Sequence, residues 1–99
     1  MLDLAAPELS VVVASVSGCE MLELTLKALD AQPERDRMEV IVVETLGRVV
    51  RERLQKRRPG VVVIESERES IPRLRYRGVC RARGNLVAIL EDHGRVAPD

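Results

Sequence analysis

The sequence has no phenylalanine and no tryptophan, and Tyr76 is its only aromatic residue. Its core must therefore be filled by Val, Leu, Ile and Ala, which suits β-branched strands covered by leucine-bearing helices. A single histidine and two cysteines, Cys19 and Cys80, form no CxxC pair, so no zinc pattern can be assembled. Both cysteines fall in helical patterns beside apolar neighbours and are expected to be small buried hydrophobes. No apolar run approaches the roughly 18–20 residues of a membrane span. The N-terminus has no basic region followed by an apolar stretch, so a cytoplasmic location is expected. Net charge is also missing: 16 basic residues balance 16 acidic ones. That balance favours no particular class of partner, and nucleic acid is not expected. At 99 residues the chain suffices for one small domain, less than most complete enzymes with two substrates.

What is present is a regular alternation. After a lead-in over 1–8, the run LSVVV at 9–13 is continuously apolar, as in a strand buried on both faces of a parallel sheet. A small-residue loop follows. Ser17 and Glu20 have the spacing of a capping box, and Met21, Leu22, Leu26 and Leu29 recur at helical spacing until Pro33. MEVIVV at 38–43 is the second strand, and Val49, Val50 and Leu54 mark a weaker helix to about Lys56. Pro59-Gly60 is a turn before the third strand, VVVI at 61–64. Ser70 can cap a third helix that tolerates Pro72 in its first turn and ends near Gly84. LVAIL at 86–90 is the fourth strand. The order βαβαβαβ predicts an α/β fold: a Rossmann-like three-layer sandwich, a mostly parallel sheet with helices on both faces, over 9–99.

In such sheets ligands bind beyond the carboxyl ends of the strands. The loops at 14–18, 44–47 and 91–94 are the ones that matter, and 65–70 can close one side. The first is small and polar, so a flat base or sugar can approach its backbone. Glu44 is placed at a strand end, where a carboxylate accepts hydrogen bonds from a ribose or a base N–H; taken alone it is as readily a solvated loop carboxylate. Glu91-Asp92-His93 is the sharpest feature, three metal-competent residues directly after an apolar strand. Carboxylates suit a hard divalent cation that bridges to phosphate, and an imidazole suits Mn²⁺ better than Mg²⁺. The basic segment at 48–58 reads as a solvated helix face. In the second basic segment, 73–83, Arg75 and its neighbours can face a pyrophosphate.

From about Pro7 to Asp99 the chain resembles the N-terminal half of family 2 glycosyltransferases. Pro7-Glu8-Leu9-Ser10-Val11-Val12-Val13 looks like the opening strand, with Ala14-Ser15-Val16-Ser17 in place of the usual Pro-Thr-Tyr-Asn. Leu29-Asp30-Ala31-Gln32 is similar to the family's Leu-x-x-Gln helix end, and Glu39-Val40-Ile41-Val42-Val43-Glu44 to its second strand and first acidic residue. Arg75-Tyr76-Arg77-Gly78 stands where the family has Arg-Asn-Ala-Gly. The run from Ala82-Arg83-Gly84 to Leu90 leads, as in the family, into an acidic motif, here Glu91-Asp92-His93, and Pro98 follows.

The resemblance implies a GT-A fold binding a nucleoside diphosphate sugar of UDP or GDP type, with a divalent metal, Mn²⁺ or Mg²⁺. It implies that Ala14 and Ser15 line the base pocket, that Glu44 contacts base or ribose, and that Arg75 helps hold the nucleotide. Glu91 and Asp92 would face sugar and ribose, with Asp92 and His93 at the metal. Thr45 replaces the second acidic residue of the family's loop, and His93 its metal-position Asp. By the same resemblance, the half that carries the acceptor site and the catalytic base is expected to lie outside these residues. The expectation is therefore a donor-binding half, truncated after the acidic motif, with no catalytic residue assigned and inactive alone. A missing C-terminal half or self-association would complete it. The alternative is a non-catalytic nucleotide-binding or subunit-interaction module of the same fold. A receiver-like domain is disfavoured, because Ala14-Ser15 and Glu65-Ser66 stand where its acidic pair and phosphoacceptor belong.

Overall fold

A computed structural model describes residues 7–15, 18–67 and 70–91, without the side chains of Cys19 and Glu91. Four strands, β1 (Leu9–Ser15), β2 (Met38–Glu44), β3 (Val62–Glu65) and β4 (Leu86–Glu91), alternate with α1 (Cys19–Asp30), α2 (Arg48–Arg57) and α3 (Ile71–Arg81). A single 3₁₀ turn, Arg35–Arg37, leads into β2. The strands form one parallel sheet in the order β3-β2-β1-β4. This is the expected α/β architecture.

The period-two pattern of the strands assigns each apolar residue to a face. Val11, Val13, Val40 and Val42 pack with Leu22, Leu26 and Leu29 of α1 and Leu54 of α2. Val12, Ala14, Ile41 and Val43 pack with Leu74 of α3 on the other face. Consecutive crossovers of one hand that move first outward from β1 and then back across it deposit their helices on opposite faces. Each buried Val or Leu contributes about 1.5–3 kcal/mol relative to exposure, so β1 and β2, covered on both sides, carry most of the core.

Several expectations need correcting. Ala14 and Ser15 belong to β1 rather than to a loop, and Glu44 is the last residue of β2. The N-cap of α1 is Gly18 with φ 116°, while Ser17 of the expected capping box lies outside the described residues. Ser70 occupies the N-cap of α3 without a side-chain capping bond. Cys80 is exposed rather than buried, and the side chain of Cys19 is outside the described set. β4, expected from its apolar run LVAIL, is an edge of the sheet formed by the described residues: Leu86 is 69% exposed, and Val87 and Ile89 are more than 40% exposed.

Two glycines set the packing of α3. A Cβ on Gly78 would collide with the Val12 side chain, so the helix can lie this close to β1 only because position 78 has no side chain. A Cβ on Gly84 would sit 2.7 Å from the Ser10 nitrogen, where the turn into β4 crosses β1.

Candidate functional site

The carboxyl ends of the four strands form one edge. Ser15 is in register with Glu44, Glu44 with Glu65, and Ala14 with Glu91. The connection from β1 steps to β2 on one side, and the connection from β3 returns across β2 and β1 to place β4 on the other, so the switch point, where open α/β sheets receive ligands, lies between β1 and β4.

Backbone and side-chain bonds lace this edge together. The Thr45 N–H and hydroxyl both donate to the Ser15 carbonyl, at 3.4 and 3.3 Å. The Ser66 N–H donates to the Glu44 carbonyl at 3.0 Å. The Glu44 side chain is fully buried. Its Oε1 accepts the N–H groups of Leu46 and Gly47 at 2.9 and 3.0 Å. Its Oε2 accepts Nη1 of Arg51 at 3.2 Å. The same Nη1 lies 2.9 Å from Oε2 of Glu65. Glu44 thus caps the turn into α2, whose N-cap Gly47 has φ 105°, a conformation that favours glycine. Pairing foremost with Glu65, and also with Glu44, raises the Arg51 pKa further above its ordinary value and keeps the guanidinium charged.

The sequence-derived site residues fall into three groups. Ser15 and Glu44 stand abreast, but Ser15 and Ala14 are buried in β1 and the Glu44 carboxylate is turned into its own loop. The Glu44 carboxylate takes its hydrogen bonds from the Leu46 and Gly47 N–H groups and from Arg51. Arg75 is half-buried on α3, on the opposite face of the sheet from α2 and Arg51. It belongs to the part of α3 that starts at the carboxyl edge, whereas Arg81 and Arg83 have reached the amino end, where they face Glu39. Glu91 ends β4 at the carboxyl edge. Asp92 and His93 lie outside the described residues. Among the described residues there is no cluster of three metal-competent side chains.

Beside β3, a cavity of about 390 Å³ opens between Glu65, Ser66, Glu67 and Arg77. Another of about 400 Å³ lies between α1 and α2, where Arg57 and Arg58 pair with Glu23 and Arg58 also with Asp30. The second involves the C-terminal end of α2, near the amino ends of the strands and away from the switch point.

Sequence reasoning missed Arg51 by placing it on a solvated helix face; its side chain is only 18% exposed. A signal was available. Glu44 continues the parity of Val40 and Val42, the face that carries α2, and Arg51 lies in the first turns of that helix.

The fold has counterparts among solved structures. A mannosyltransferase from Pyrobaculum calidifontis, PcManGT in complex with GDP-Man and Mn²⁺, matches 90% of this chain with a TM-score of 0.73 and 21% identity. TarS 1–349 from S. aureus in complex with UDP matches 93% with a TM-score of 0.72 and 18% identity. TarS 1–349 in another crystal structure gives 0.68 over 90% of the chain. The fold is that of GT-A glycosyltransferases. The GT-A match covers 28–29% of each of those longer chains. No protein-family model matches the sequence, and no curated protein matches it. No helix among the described residues is long and apolar enough to cross a membrane.

Proposed function

We propose that the carboxyl edge of the sheet binds the nucleoside diphosphate of a sugar donor, as the donor-binding part of a glycosyltransferase that moves a hexosyl group to an acceptor. The observation that carries this reading is the position of the switch point between β1 and β4 in a chain whose fold matches donor- and nucleotide-bound transferases over 90% or more of its length. In this reading the β1 end at Ala14 and Ser15 and the loop held by Glu44 support the nucleoside, and Arg75 assists from α3. Glu91 and Asp92 reach the ribose and sugar.

Asp92 and His93 form a donor set whose chemistry fits a divalent cation, Mn²⁺ better than Mg²⁺ because of the imidazole. The cation would neutralise charge on the departing diphosphate. None of these 99 residues is assigned as the base that activates an acceptor. Among the described residues the apolar edge at β4 is uncovered, which supports a contact with further protein, a second copy of the chain or further polypeptide of a longer transferase.

Calorimetric titration of the folded chain with UDP and with GDP, with and without Mn²⁺, tests the reading. Metal-dependent binding that Asp92→Ala and His93→Ala each weaken by about tenfold or more is the expected result. A folded chain that binds neither nucleotide would sink it.

A further inference from the structure

We infer that Arg51 is a positioning residue of the donor edge: acting through the buried Glu44 carboxylate, it holds the loop at 45–47 in the shape that receives a nucleoside, and touches no ligand itself. The inference rests on the donor-site reading above.

Strand register puts Glu44 and Glu65 side by side on the face that carries α2. Two carboxylates one strand apart repel, and one of them is fully buried. Arg51 resolves both problems with one nitrogen, 3.2 Å from Glu44 and 2.9 Å from Glu65. With its charge balanced, the Glu44 carboxylate stays inward and keeps the N–H groups of Leu46 and Gly47. The loop those groups belong to is also stitched to the end of β1 through Thr45 and Ser15. Loss of Arg51 leaves a buried, uncompensated anion next to a second one. The favourable response is for Glu44 to take up a proton or swing outward. A swing frees the Leu46 and Gly47 amides and loosens the loop beside the switch point. Arg51 thus reaches the nucleoside's side of the edge only through Glu44.

The consequence is read in two ways on the same proteins: amide hydrogen exchange at Leu46 and Gly47, and calorimetric affinity for UDP and GDP with Mn²⁺. Arg51→Met, with cooperative unfolding retained, should exchange these two amides about tenfold faster and bind nucleotide about tenfold more weakly. Arg51→Lys should recover most of both losses, because a single nitrogen makes both ion pairs. Glu44→Gln should release the same amides, and Glu44→Gln/Arg51→Met should be no worse than the worse single variant. If Arg51→Met does not fold, Arg51→Lys and Glu44→Gln carry the comparison.

Wild-type protection and affinity in Arg51→Met, or an Arg51→Lys no better than Arg51→Met, overturns the inference. So does a Glu44→Gln that binds weakly while both amides stay protected, since Glu44 would then touch the ligand directly. A wild-type chain that binds neither nucleotide defeats the donor reading instead. The exchange comparison needs no ligand and then still decides whether Arg51 holds the loop.

Discussion

At the residue scale, Glu39 has the most concentrated set of partners at the amino end of the sheet. Its Oε1 accepts the Ser10 hydroxyl at 2.8 Å and the Arg83 N–H at 2.9 Å, and its Oε2 accepts Nε of Arg83 at 3.1 Å. Ser10 Oγ in turn accepts the Gly84 N–H at 2.8 Å. Burial, the largest influence, would raise the Glu39 pKa, but the Arg83 and Ser10 bonds together lower it from its ordinary 4.5. A carboxylate depressed on folding stabilises above its unfolded pKa, and the benefit is lost as pH falls through the folded value. Stability should therefore hold above pH 4.5 and decline below it, and Glu39→Gln should flatten that decline. Arg83 is 59% exposed, so solvent screens its ion pair, and most of the cost of Glu39→Gln comes from the mispaired N–H and O–H donors. That cost is about 1–3 kcal/mol at neutral pH, measurable by urea unfolding. A pH profile unchanged by the substitution would refute the assignment.

Among the elements, α3 and β4 contrast in how completely they are covered. α3 seats Leu74 and Gly78 against β1, and the missing Cβ at 78 fixes the approach. Gly78→Ala should destabilise by about 1–3 kcal/mol through overpacking. Val12→Ala removes the methyl groups it would strike, so Gly78→Ala/Val12→Ala should lose less than the sum of the single losses in denaturant unfolding. Additive losses would mean that the helix is placed by something else. The βα alternation, the helix stripes and the period-two assignment of Val11, Val12 and Val13 were readable in advance, because local periodicity sets them. The edge position of β4 was not: an apolar run such as LVAIL looks the same in the middle of a sheet and at its border. β3, the other edge, is short and ends in Glu65, a device that discourages strand addition. β4 has six residues, with no Pro and no charged residue before Glu91.

For the whole molecule, that asymmetry predicts association through β4. Sedimentation velocity should show a concentration-dependent species for the chain, and Ile89→Lys should shift it to monomer without loss of fold. A compact monomer at every concentration would count against the proposed contact. The candidate site was legible in part for the same reason as the fold. Sequence placed Glu44 and Glu91 at strand ends and identified the loops at the carboxyl edge. It did not foresee that Glu44 points into its own loop, that Arg51 bridges to Glu65, or that α3 carries Arg75 on the opposite face from α2. By itself, the order of residues determined the elements, their alternation and the chemistry offered at each strand end, since these follow from neighbours a few positions apart. Only the tertiary structure decided which strands lie side by side and which helix covers which face. Those choices set which charges meet, because a carboxylate's partner is fixed by register and crossover, contacts made between residues far apart in the chain.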